Sequence, residues 1–486
     1  MQGSPVGDGS ASDRRDTAVL PGGITRTAGT LAPVARLVAP VLVEQVLALT
    51  VGFTDKWLAG NLLEGSAYLA AVGLVAYCIG FLPALFAVPA VAVTALVARA
   101  VGAGDTVAAR RDTVQAVIVG GAMALCLLFV SIGVGRRFVT LLGLPPESTA
   151  LAWEYIAIVL PALPAIMLIT VGVAALRGAG DMVGGLLTMS VVNLVNAGAS
   201  YALASGAAGL PRLGWPGLAW GTLAGYLSGA VCVVVLLARR ERGLRPMLTD
   251  WVADRARLAR ILSVGVPAGA DAVGNAVCHL WFLSIVNRLG NVDAAAHAVA
   301  ITIESLAFLP GSAFGVAAAT LSGQFLGARQ PRRARGTVWL AATAGMMLMG
   351  LAGTAFFTTA DGLAGWFVGG AGRQPEVATL TARLVRIVAF AQVPLALLMV
   401  FSGALRGAGL TRPPLVVNFL GLLLVRLPLA MLLAWQGVVT PWGTLPGAGL
   451  GAVGAWYAMA SDLIARGVAM TLLYERLQPR RGTTPP

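Results

Sequence analysis

Charge is scarce in this chain. Only 11% of its 486 residues are Asp, Glu, Lys or Arg, against 57% hydrophobic, whereas soluble globular domains carry about a quarter charged residues. Histidine is rarer still, with two in the whole chain, and Lys56 is the only lysine among 34 basic residues. With so few imidazoles and no His/Cys/Asp cluster, no metal centre is expected. Cys78, Cys126, Cys232 and Cys278 stand singly inside apolar stretches, where a thiol packs as a small apolar filler. The sequence has no nucleophile elbow, no phosphate-binding glycine loop and no paired metal ligands. It also has no polar stretch long enough for a soluble domain. These absences argue against an enzyme and against a pump that hydrolyses ATP unaided. The net charge of +13 lies in tails and short loops between apolar runs, so it does not indicate nucleic acid.

Long apolar runs fill the chain instead. "AVIVGGAMALCLLFVSIGVG" (116–135) has the roughly 20 residues that a membrane span requires. Cutting at charged, Gly or Pro clusters gives twelve such segments: 33–58, 67–97, 113–135, 151–175, 183–205, 217–238, 259–287, 295–325, 337–358, 383–405, 413–436 and 447–473. Backbone groups in lipid must bond within their own segment, and no period-two alternation of a barrel is visible. The expected fold is an all-α polytopic membrane protein. Residues 1–32 lack the apolar core of a signal peptide and read as a disordered cytoplasmic tail. Residues 239–258 read as a cytoplasmic linker and 476–486 as a C-terminal tail. Of the basic residues, 24 fall on the side of both termini and 8 on the other, which predicts cytoplasmic termini in a bacterial plasma membrane.

The chain repeats itself. "AALRGAGDM" at 174–182 returns as "GALRGAGLT" at 403–411, with Arg177 matching Arg406 at an offset of 229. Gly102 matches Gly327 (225), Pro83 matches Pro310 (227) and Pro164 matches Pro394 (230). Six spans separate the copies, so both face the same side. The pattern predicts two six-helix lobes, 33–238 and 259–475, related by a pseudo-twofold axis along the membrane normal, as in many secondary transporters. Each ALRGAG is expected to be a short turn whose arginine anchors at headgroup level.

Ionisable groups inside spans are costly and usually face the bundle interior. Asp55, in "TVGFTDKWLAG", is the leading candidate for taking up a proton; the alternative is a pair with Lys56. Glu44 lies three turns earlier, ~16 Å away, and reads as an interior pair or a second relay point. On span five, Asn196 and Ser200 share a face at i and i+4, near Asn193, and Thr222 of span six stands to join them. With Asp55 they offer oxygens to a proton, a water or a hard cation. Asp271, Asn275 and His279 form one stripe on span seven, His297 and Glu304 a two-turn pair on span eight. Asp462 and Arg466 should neutralise each other, and Arg426 reads as an interhelical contact.

"TVGFTDKWLAG", "GFLPALFAVPAVAVTALVARAVGAGD", both ALRGAG turns, "VDAAAHAVAITIESLAFLPGSAFGVAAATLSGQFLGA" and "LLLVRLPLA" together resemble the multidrug and toxic compound extrusion (MATE) family. The resemblance covers roughly residues 33–475. It implies a twelve-helix antiporter that exports organic, often cationic, compounds against protons or sodium by alternating access. The family's first-span Asp falls on Asp55, and its first-span proline, where that helix bends, on Pro40. The DinF-like branch adds an Asn, an Asp and a Thr. These fall on Asn196, Ser200 and Thr222, so one carboxylate is replaced by a hydroxyl. The C-lobe acids of the NorM-like branch fall on Asn275 and Leu395 and are absent. The resemblance therefore implies a DinF-like protein coupled through Asp55, to protons rather than sodium, with no cofactor beyond the ion gradient. Its partners would be small organic substrates and the bilayer, and it would act as a monomer. The rival expectations are a lipid-linked precursor flippase of the same superfamily, or a membrane-embedded enzyme.

Overall fold

Proline removes a backbone donor and interrupts a helical ladder, and it marks most of the breaks in this bundle. The computed structural model describes residues 31–477 apart from 64, 142–144, 240–243, 369–373 and 441–442. The tails expected at 1–32 and 476–486 thus lie almost wholly outside the described residues.

Every expected span is helical. In the first half these are α1 (Leu31–Leu62), α2 with α3 (Ser66–Leu85, Ala87–Gly102), α4 (Thr106–Leu141), α5 with α6 (Pro146–Val159, Leu163–Gly178), α7 (Val183–Ser205) and α8 (Trp215–Ala238). In the second half they are α9 (Arg255–Asn287), α10 (Asn291–Gly327), α11 (Pro331–Val368), α12 with α13 (Pro375–Ala389, Gln392–Gly407), α14 with α15 (Arg412–Leu420, Leu427–Ala434) and α16 (Gly451–Leu477). Ten helices are long and apolar enough to cross a membrane, or eleven when α12 and α13, bent by 53°, count as one span. The remaining span is α16, which carries the buried Asp462 and Arg466. The chain is an all-α polytopic membrane protein in two lobes. A two-stranded hairpin, β1 (Gly437–Thr440) and β2 (Gly443–Pro446), caps the end opposite the ALRGAG turns.

Breaks follow the prolines unevenly. Span two is split at Phe86, between Pro83 and Pro89, yet its counterpart α10 runs unbroken through Pro310. Pro161 and Pro164 bracket the 3-10 turn between α5 and α6. Pro40 and Pro267 lie inside continuous α1 and α9. Between α14 and α15 the backbone makes a π-helical turn, Gly421–Arg426, a feature frequent at functional sites.

Each lobe has its own apolar core, but the two exchange residues. Val34, Leu37, Val38 and Val41 of α1 belong to the second lobe's core, and Ile261 of α9 to the first's. The lobes meet at the end that carries the ALRGAG turns, here the elbow end. Thr320 donates its hydroxyl to the Arg177 carbonyl at 2.9 Å, and the Gln324 amide donates to the Gly178 carbonyl at 2.9 Å. Gly102 lies flat against the Gln324 backbone, and Gly327 against that of Arg99. The two contacts are reciprocal, as twofold symmetry requires, and a Cβ at either glycine would collide with main chain. The linker is fastened beside this seal. Asp250 accepts from Arg110 Nε at 2.6 Å and from the Met247 amide at 2.9 Å, while the Gln115 amide donates to the Asp250 and Val252 carbonyls. Burial pushes the Asp250 carboxyl up, but the Arg110 and Met247 hydrogen bonds and the charges of Arg110 and Arg111 outweigh it and hold it below the usual carboxylate range.

The ALRGAG turns do not anchor at headgroup level. Gly180 and Gly409 take the left-handed backbone (φ 90° and 76°) that ends each helix, and the arginines fold inward. Arg177 donates to Glu44 of α1 at 2.6 Å, and Arg406 pairs with Asp271 of α9. An acid buried one turn past a proline attracts the cation more strongly than a headgroup does. Glu44 and Asp271 are 227 residues apart, as are Pro40 and Pro267.

Candidate functional site

Four residues singled out in the sequence converge in the first lobe. Asp55 comes from α1, Asn196 and Ser200 from one face of α7, and Thr222 from α8, all at most 4% exposed. Thr222 donates to Asp55 Oδ2 at 3.0 Å and the Asn196 amide donates to Oδ1 at 3.4 Å. The same amide lies 2.8 Å from Thr222 Oγ1 and 3.3 Å from Ser200 Oγ. α7 and α8 approach closely because Gly221 and Gly225 leave room for the Ser200 and Asn196 backbone. Sequence reasoning missed a fifth member. Tyr155 of α5, fully buried, donates to Asp55 Oδ2 at 2.7 Å and sits 2.7 Å from Thr222 Oγ1. A lone phenol in "LAWEYIAIV" reads as an aromatic filler; the usable signal is that a buried tyrosine hydroxyl needs a partner.

Every described partner of Asp55 is neutral. Lys56 is exposed and makes no described ion pair with it. Asn196 Oδ1 is buried with no hydrogen-bond partner, so the cluster holds one acceptor in reserve. Asn193 stays apart, accepting from Thr50 at 2.5 Å and donating to the Leu47 carbonyl.

A cavity of about 710 Å³ lies between the lobes, and none of these five residues lines it. Asp271, Asn275 and His279 do, along one stripe of α9. Behind it the second lobe carries a continuous polar chain. Arg406 pairs with Asp271, whose other oxygen accepts from Asn418 at 2.8 Å. Asn418 accepts from Arg466 at 3.2 Å, Arg466 grips Asp462 through Nε and NH2 (2.8 and 2.6 Å), and Asp462 also accepts from Arg426 Nε at 2.9 Å. Arg426 NH1 ends the chain 3.5 Å from His279 Nε2. The π-turn makes this possible, since a side chain at Gly421 would strike Arg466 and Asp462. The expected His297–Glu304 pair divides. His297 turns into the core, where Trp456 donates to it at 3.1 Å, whereas Glu304 faces the cavity. Among the described residues no group of three His, Cys, Asp or Glu is placed to hold a metal ion.

Two helical repeats around one cavity, with the polar groups buried between helices, define a membrane transporter. The chain belongs to the MatE family, whose model matches it twice, at residues 40–202 and 267–432. The two matches begin at Pro40 and Pro267, so the family match and the internal repeat share one register. Among curated relatives, the probable multidrug resistance protein NorM of Thermotoga maritima is 26% identical over 90% of this chain and 91% of its own. That of Pseudomonas aeruginosa is 28% identical over 93% and 91%. Among solved structures, a MOP-superfamily transporter from Pyrococcus furiosus, described as having a binding pocket of reverse polarity that suggests a different function, matches with a TM-score of 0.81. It is 20% identical, with 91% of this chain and 95% of that one covered, a likeness of fold alone.

Proposed function

We propose that this protein is a secondary multidrug efflux antiporter of the bacterial plasma membrane, driven by protons through Asp55. The observation that carries the reading is a buried carboxylate whose described partners are all neutral, beside an acceptor, Asn196 Oδ1, that has no partner. An acid locked to an arginine holds its charge, whereas one held by Tyr, Thr and Asn is free to gain and lose a proton. Turning the Asn196 amide by half a turn presents Oδ1 to a protonated Asp55, so the same five residues serve both forms. The names of the NorM relatives support multidrug efflux.

Coupling runs through α1. Asp55 does not line the cavity, so its proton does not compete with substrate directly. The same helix carries Glu44 and Pro40 and ends among the second lobe's core residues. A change of hydrogen bonds at Asp55 therefore bears on the elbow seal about 16 Å away. With the elbow end taken as cytoplasmic, this structure is closed to the cytoplasm. Protonation from outside favours one arrangement of α1 and substrate leaves; release of the proton inside favours the other.

The test is ethidium accumulation by inverted vesicles. Transport under an acid-inside proton gradient, lost in Asp55→Asn, is the expected result. Transport driven by sodium alone would overturn proton coupling, and undiminished proton-driven transport in the variant would overturn the role of Asp55.

A further inference from the structure

Count the charges around the cavity. Arg177 and Arg406 are each held by an acid, and Arg426 and Arg466 share Asp462. Glu304 alone is left over. It lines the cavity from α10, and among the described residues it makes no hydrogen bond or ion pair. Arg426 is the charge that acts on it, yet no N···O contact within 4.0 Å joins them. Its helix turns the same face to the cavity at Ile301, Glu304, Phe308 and Ser312, the spacing of one helical stripe. Across from it stand Leu395, Met399 and Met459, apolar and, for the methionines, adaptable in shape. A free carboxylate in an otherwise apolar chamber of this size is the chemistry that holds an amphipathic cation. The nitrogen meets the charge, and the rings meet phenyl and thioether surfaces.

We infer that Glu304 is the substrate-binding carboxylate of the central cavity, seating the positive nitrogen of an organic cation. This rests on the transporter reading above and adds to it a division of labour. Asp55 exchanges the proton in the first lobe, and Glu304 holds the cargo against the second. Asn275 and Leu395, the other cavity positions considered from the sequence, carry no charge, so Glu304 is the one described acid lining the cavity without an arginine partner.

The test is equilibrium binding of ethidium to purified protein, with no ion gradient, so that failure of transport and failure of this site are read separately. Phenanthridine, its uncharged parent ring, serves as the control for shape. Glu304→Gln is expected to weaken ethidium by about tenfold or more and to leave phenanthridine unchanged, while Glu304→Asp keeps most of the affinity. Equal ethidium affinity in wild type and Glu304→Gln overturns the proposal, as does failure of the wild type to bind ethidium. Parallel losses for ethidium and phenanthridine overturn it too, because a merely structural residue behaves that way.

Discussion

In the first lobe Pro40 precedes Glu44 by one turn and Arg177 closes on that acid; in the second, Pro267 precedes Asp271 and Arg406 closes on it. Beyond these matched clamps the lobes part. Asp55 has Phe282 at its counterpart position, 227 residues on, and Asp462 has Val233, 229 residues back. One lobe therefore buries a carboxylate among neutral partners, the other a carboxylate gripped by two arginines. Duplication supplied the scaffold twice, and each copy received a different buried acid. The difference teaches how one fold separates two tasks, since an acid without a counter-charge exchanges a proton and an acid between two guanidiniums stays fixed.

Removing the fixed acid should break the comparison most severely. Asp462→Asn leaves Arg426 and Arg466 buried without a countercharge, at a cost of about 3–5 kcal/mol, read as a large fall in the melting temperature of the purified protein. The clamps should then prove unequal. Glu44 already has Oε2 buried without a partner, whereas Asp271 also accepts from Asn418. Arg177→Gln should therefore destabilise more than Arg406→Gln, by about 1 kcal/mol in the same melting assay. Equal losses would mean that Asn418 contributes nothing.

The smallest effect concerns pH and the linker. Asp250's carboxyl is held below its ordinary value in the folded protein. Its contribution is therefore complete above the unfolded value of about 3.9 and is lost as pH falls through the lowered folded one. Asp250→Asn should cost about 1–3 kcal/mol near neutral pH and flatten the acid limb of a stability profile. An unchanged acid limb would show that the Arg110 clasp does not matter.

Much of this was legible in the sequence. Long apolar runs and the ALRGAG repeat fixed the twelve helices and the twofold plan, and helical spacing put Asn196 and Ser200 on one face toward Asp55. The clamps were half legible: Pro40 with Glu44 and Pro267 with Asp271 repeat in register, but that an arginine on span four or ten folds inward to meet them depends on packing. Tyr155 was hidden because nothing local marks a phenol whose partner lies 100 residues away. Glu304 was visible as an acid but not as a free one, because the direction in which its helix faces is set by the neighbouring lobe. The split of span two at Phe86, absent from α10, was unreadable, since Pro83 and Pro310 look alike in sequence.

The central claim is that proton exchange belongs to Asp55 and substrate binding to the cavity. It is tested most directly by measuring protons released by purified protein as ethidium binds, in weak buffer with a pH indicator. The wild type should release protons on binding, whereas Asp55→Asn should bind ethidium and release none. Equal release from the two proteins would contradict the account.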